Sequence, residues 1–159
     1  GDYVTIAGKG GTVRNVSVVS TTIVTPDNQV IIIPNSKVWG DVITNVTASD
    51  TRRIDMVFGI GYEDSIEKAQ EVLEQILSDH PKVLDDPAPL IRVNELGESS
   101  VNFIVRPWVR AEDYWEVYWE LTAKVKERFD ANGLTIPFPQ TELRIRGDAY
   151  GNMSPAVNR

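Results

Sequence analysis

Acid–base and metal chemistry near neutral pH falls mainly to histidine and cysteine, and this chain has one histidine, His80, and no cysteine. That excludes a thiol nucleophile, a thiolate metal centre and a disulfide framework, and one imidazole cannot build a histidine-based metal site. His80 stands just before Pro81 at the end of a predicted helix. An imidazole there can bond the last carbonyls, so a structural or surface role is expected. The acidic pairs Glu63-Asp64, Asp85-Asp86 and Glu112-Asp113 fall in turns or helix starts, where negative charge suits the helix dipole without any catalytic duty. Gly8-Lys9-Gly10-Gly11-Thr12 has the residue types of a phosphate loop. Its spacing fails GxxxxGK[ST] and no helix follows it, so it reads as a turn. Gly59-Ile60-Gly61 is half of a dinucleotide fingerprint and reads as a strand end. Three Asn-x-Ser/Thr triplets, at Asn15, Asn45 and Asn152, come with no secretory segment and are expected to be chance matches. With no nucleophile–base pair, metal cluster or cofactor loop, neither an enzyme nor a cofactor is expected.

The elements that would position any site fall into two blocks. Up to about Asn45 the residues are those of strands and tight turns, with Val, Thr and Ile dense from Val13 to Thr25. Pro26-Asp27-Asn28 is turn chemistry, and Val30 to Ile33 is a short buried strand closed by Pro34-Asn35-Ser36. Residues 48–53 are polar and non-periodic, a predicted linker. Ile54, Met56, Phe58 and Ile60 then alternate as in a strand with one face on a core. Ile66, Ala69, Val72, Leu73, Ile76 and Leu77 recur at helical spacing behind Asp64 and Glu67, an expected capping pair. Leu90 to Glu95 and Val101 to Val109 read as two strands around a hairpin loop. A second helix is predicted from Asp113 to Ala131, capped by Asp113 with Glu116 and stopped by Asn132-Gly133. Tyr114, Tyr118, Leu121, Val125 and Phe129 make its core stripe. Trp115 and Trp119 flank that stripe, either as a second partner surface or as a cap on the edge of their own sheet. Leu134 to Ile136 is a possible strand and Thr141 to Arg146 a short one, with a Gly-, Asn- and Pro-rich tail at 147–159 expected to be disordered. Residues 54–136 therefore follow the order of a ferredoxin-like split βαβ unit.

The 159 residues carry 16 basic and 23 acidic side chains, a net −7. Only Lys9, Arg14 and Lys37 oppose Asp2, Asp27, Asp41 and Asp50 in the first 50, so most of the surplus acid lies beyond. That balance argues against a nucleic-acid surface. The longest aliphatic run, Val30 to Ile33, is far short of the roughly 20 residues a spanning helix needs. With Gly1 first and no signal segment, the chain reads as a piece of a longer protein.

Several words of the sequence carry a resemblance. Gly1-Asp2-Tyr3-Val4, Gly10-Gly11-Thr12-Val13, Ser20-Thr21-Thr22, Thr25-Pro26-Asp27-Asn28 and Ile32-Ile33-Pro34-Asn35-Ser36 resemble the β domain of the small-conductance mechanosensitive channel (MscS) family. Asn45, Arg52-Arg53, Val93-Asn94-Glu95-Leu96-Gly97, Ser99 to Phe103, Val117-Tyr118-Trp119, Phe129-Asp130-Ala131, Gly133 and Pro137-Phe138-Pro139-Gln140 are similar to its cytoplasmic α/β domain.

The resemblance implies an Sm-like small β-barrel domain at 1–50, a ferredoxin-like α+β (βαββαβ) domain at 51–140 and a barrel strand at 141–146. It implies a homoheptamer on the cytoplasmic side of the bacterial inner membrane, held there by upstream transmembrane helices this chain lacks. Such channels open under tension in hypo-osmotic shock and pass ions and small osmolytes, with the cage filtering through lateral portals. Ser49, Asp50, Arg52 and Arg53 would line a portal or the vestibule, although Arg52 and Arg53 could equally pair with acidic neighbours across a subunit contact. Family members can carry an acidic residue where this chain has Ser49. Trp115, Trp119, Leu143 and Ile145 would lie at subunit contacts. The competing readings are a soluble regulatory domain binding a small metabolite and an RNA-binding module, the latter disfavoured by the charge.

Overall fold

Val4, Ile6, Ile23 and Ile33 form one cluster of buried side chains, and a larger cluster runs from Ile54 to Leu134 with no residue in common. The computed structural model describes residues 1–141. The expected strand Thr141 to Arg146, with Leu143 and Ile145, and the expected tail at 147–159 lie outside the described residues, apart from Thr141.

The smaller core belongs to strands β1 (Tyr3–Ile6), β2 (Lys9–Val16), β3 (Ser20–Val24), β4 (Val30–Pro34) and β5 (Thr44–Asn45), with a one-turn helix α1 (Asn35–Trp39) before β5. They form one antiparallel sheet in the order β4-β3-β2-β1-β5. Ala7 and Gly8 both have positive φ, 49° and 71°, the backbone that a two-residue hairpin loop requires. Asn35 opens α1 where a closing turn was expected. Its side chain accepts from Thr21 Oγ1 (2.9 Å) and donates to Ser17 O (2.8 Å) and Val18 O (3.0 Å), which fixes the β2–β3 hairpin tip.

The larger core lies under β6 (Thr51–Arg53), β7 (Met56–Ile60), α2 (Ile66–Asp79), β8 (Val83–Leu84), β9 (Leu90–Leu96), β10 (Val101–Arg106), β11 (Trp108–Arg110), a 3₁₀ turn (Ala111–Asp113) and α3 (Tyr114–Ala131). Two three-stranded sheets result, β7-β10-β9 and β6-β11-β8. The predicted linker is thus shorter than its composition suggested, because Thr51 to Arg53 pair with β11. The predicted single strand Val101 to Val109 is two strands, since Pro107 has no N–H to continue the ladder. One register nevertheless runs through both sheets. Thr51 faces Arg110, Arg53 faces Trp108, Met56 faces Val105 and Ile60 faces Val101, with Ile54 N donating to Pro107 O (2.9 Å) at the corner.

Neither expected capping pair makes its cap bonds. Ser65, not Asp64, is the N-cap of α2, its hydroxyl accepting from Lys68 N (3.2 Å). Asp113 makes no cap bond at α3 because its carboxylate holds Lys82. The stop after α3 is as read: Gly133 has φ 71°, Leu134 N donates to Phe129 O (2.9 Å) and Gly133 N to Asp130 O (3.2 Å), a Schellman ending. Leu134 to Ile136 is not a strand.

Candidate functional site

The crossing between the two cores is pinned from both sides. Asn45 Oδ1 accepts from Thr47 N (3.1 Å) and Ala48 N (2.9 Å), the local turn that Asn favours, while its Nδ2 donates to Asp2 Oδ2 (2.9 Å). Tyr3 N donates to Thr47 Oγ1 (3.0 Å), and Ala111 N donates to Asp50 O (2.9 Å) at the head of β6. Between these anchors lies an open groove of about 600 Å³, lined among others by Ser49, Asp50, Thr51, Arg110 and Glu112.

Of the four residues expected near a passage, Ser49 and Asp50 line this groove and Arg52 and Arg53 do not. Alternation along β6 sends Arg52 to the α3 side, where its guanidinium stacks over the Tyr114 ring, 3.8 Å from the centroid. Arg53 grips Asp55 through two hydrogen bonds, Nε to Oδ1 at 2.8 Å and Nη2 to Oδ2 at 3.2 Å. Arg106 Nε lies 3.1 Å from the same Oδ1, off the hydrogen-bonding direction. Three charges thus share the corner where the sheets meet.

Trp115 and Trp119 stand one turn apart on α3 and stay open to solvent, 57% and 63% exposed. Their rings stack with centroids 6.0 Å apart and planes 26° from parallel, and Tyr114 and Tyr118 meet Trp115 edge-on. The tyrosines pack against the larger core, so the indoles sit outside it on a rigid base.

Arg110 and Glu112, absent from the sequence-based set, join the groove only because the turn after β11 folds back over Asp50. Lys82 was missed as well. Its ammonium lies 2.8 Å from Asp113 and 2.6 Å from Glu116, and hydrogen bonds to Asp113 first and Glu116 second hold it well above the ordinary lysine range. No spacing rule links residues that far apart in the chain. Among the described residues the His80 ring bonds no carbonyl. Its Nδ1 accepts from Lys82 N (3.2 Å) and its Nε2 lies 2.8 Å from Glu120 Oε2, which tie the end of α2 to α3. Among the described residues no group of His, Cys, Asp or Glu could hold a metal ion, and no helix is long and apolar enough to cross a membrane.

Two family models match. Residues 1–48 fit the mechanosensitive ion channel β-domain, and residues 54–136 fit the C-terminal region of the mechanosensitive ion channel MscS. The chain belongs to the MscS family. A small-conductance mechanosensitive channel from Edwardsiella ictaluri is 39% identical over 145 residues, which is 91% of this chain and 51% of that one. An uncharacterized MscS-family protein from Archaeoglobus fulgidus is 44% identical over 159 residues, 100% of this chain and 56% of the relative. The crystal structure of Helicobacter pylori MscS in its closed state superposes with a TM-score of 0.88 at 30% identity, covering 93% of this chain and 59% of that one. The chain therefore spans about half the length of the curated relatives it matches. The groove lining carries both signs of charge, Asp50 and Glu112 against Arg110.

Proposed function

We propose that the chain is the cytoplasmic vestibule of a bacterial inner-membrane channel that opens under tension in hypo-osmotic shock. It scaffolds a homoheptamer and filters ions and small osmolytes through portals beside the Ser49–Asp50 groove. The observation that carries the reading is the β sheet. It buries four apolar side chains while exposing Val30 and Ile32 on one open edge, β4, and Trp39, Val42 and Ile43 beside the other, β5. Head-to-tail contact between copies would cover both edges, and such contacts generate a ring where the rotation between copies closes. In this reading residues 1–50 are an Sm-like domain. Residues 51–140 are ferredoxin-like, supported by the strand order β7-β10-β9 with α2 packed on α3.

Light scattering tests the assembly. The wild-type chain is expected at seven times 17.7 kDa. The Trp115→Ser, Trp119→Ser double variant should fall to a lower mass with unchanged circular dichroism, because both indoles are exposed within one copy. A wild-type monomer would show that these contacts do not suffice for assembly, and an unchanged mass in the variant would take the indoles out of the interface.

Asp50 is the groove charge placed to bias permeation, since a narrow passage focuses its field and salt weakens it. Asp50→Asn in the complete channel should shift the reversal potential toward anions. No shift at low salt would remove Asp50 from the selectivity reading.

A further inference from the structure

The chain leaves α3 along residues 134–140, and hydrogen bonds hold this stretch to the sheet at two points. Asp64 makes the first. Its Oδ2 accepts from Thr135 N (2.7 Å) and from Gly61 N (3.0 Å), while Gly61 N also reaches Thr135 O (3.0 Å). Ser99 Oγ makes the second, accepting from Gln140 N (3.1 Å). Between the two points Ile136 and Phe138 are exposed. A strand here would have extended the sheet beyond β7, and one carboxylate oxygen does that work in its place, joining the end of β7 to a residue 71 positions away. The Cβ of a residue at Gly61 would lie 3.3 Å from Asp64 Oδ2 and 3.8 Å from Thr135 Cβ, so the close approach uses the absence of a side chain.

The geometry points to Asp64 as a clasp: a positioning residue that fixes residues 134–140 against β7 and so sets the path by which the chain runs on to residue 141. A carboxylate accepting two backbone N–H groups is a strong acceptor, whereas Asp64 contributes nothing to the α2 cap that its position suggests. The consequence for assembly rests on the heptamer reading, in which the chain must leave each copy in one defined direction. The clasp itself does not rest on it.

Amide hydrogen exchange on the whole chain tests the clasp. Asp64→Leu keeps the approximate shape and removes the acceptor. Exchange at Thr135 should rise at least about tenfold, as expected for losing a charged acceptor, with Lys68 and the amides of α3 unchanged. Asp64→Asn keeps one acceptor oxygen and should restore most of the protection. Equal protection of Thr135 in wild type and Asp64→Leu would overturn the clasp, and so would a rise confined to the first turn of α2, which would make Asp64 a helix-end charge. A monomeric wild-type chain in light scattering would show that these contacts do not suffice for assembly and would leave the exchange result standing.

Discussion

Phe103→Ala is expected to lower the stability of the larger core by about 3–5 kcal/mol, against a total of about 5–15 for a domain. Phe103 is fully buried at the centre of β10, opposite Phe58 on β7 and Val93 on β9. Neighbours on both sides are held by strand ladders and cannot collapse into the space. The loss is therefore the transfer energy of the ring together with the cavity it leaves. Thermal unfolding followed by circular dichroism should shift by on the order of 15 °C or more. A shift of only a few degrees would mean that α2 and α3 settle onto the sheet, and that the core is less rigid than its ladders imply.

Gly11→Val should disrupt the β sheet of residues 3–45 and spare the rest. A Cβ at Gly11 would sit 2.8 Å from the carbonyl oxygen of Val24 and 3.0 Å from its carbon, both backbone atoms of a paired strand. Flexible side chains could move aside there, but a strand cannot without breaking its ladder. Overpacking usually costs about 1–3 kcal/mol and more where backbone must shift. With four buried side chains in its core, this sheet has little to set against that cost. The expected spectrum loses dispersed amide signals from β1–β4 while those of β7, β9, β10, α2 and α3 persist. Uniform loss across the chain would show that the two cores unfold together.

Long periodic segments were legible in the sequence. Ile54 to Ile60, the α2 stripe from Ala69 to Leu77 and the Gly133 stop behave as their patterns predict, because each reports a local geometry and one buried face, whereas Ile66 at the start of that stripe is exposed. The short pieces were not. β6, β8 and β11 have two or three residues each, too few to show alternation, and only their mutual pairing makes them strands. Asp64 and Asp113 looked like caps because three-residue spacing is all a sequence shows of them. Their real partners, Thr135 and Lys82, come from other elements. Ser49 and Asp50 were reachable through resemblance and Arg110 was not, since nothing in the sequence indicates that the turn after β11 closes on Asp50.

The shared register from Thr51–Arg110 to Ile60–Val101 gives the larger unit a rod bent at residues 54–55, where the two ladders meet. Its eight paired positions lie within a contour of about 33 Å, and Asp55 with Arg106 braces the bend. At one end stand Asp50 and the groove. At the other are the loop around Ser99 and the residues that Asp64 holds. Hydrogen bonds across antiparallel strands lie perpendicular to the rod, so a pull along its length loads all of them in shear together and cannot peel them one at a time. A pull between the groove and the exit of the chain is therefore resisted by each ladder as a unit.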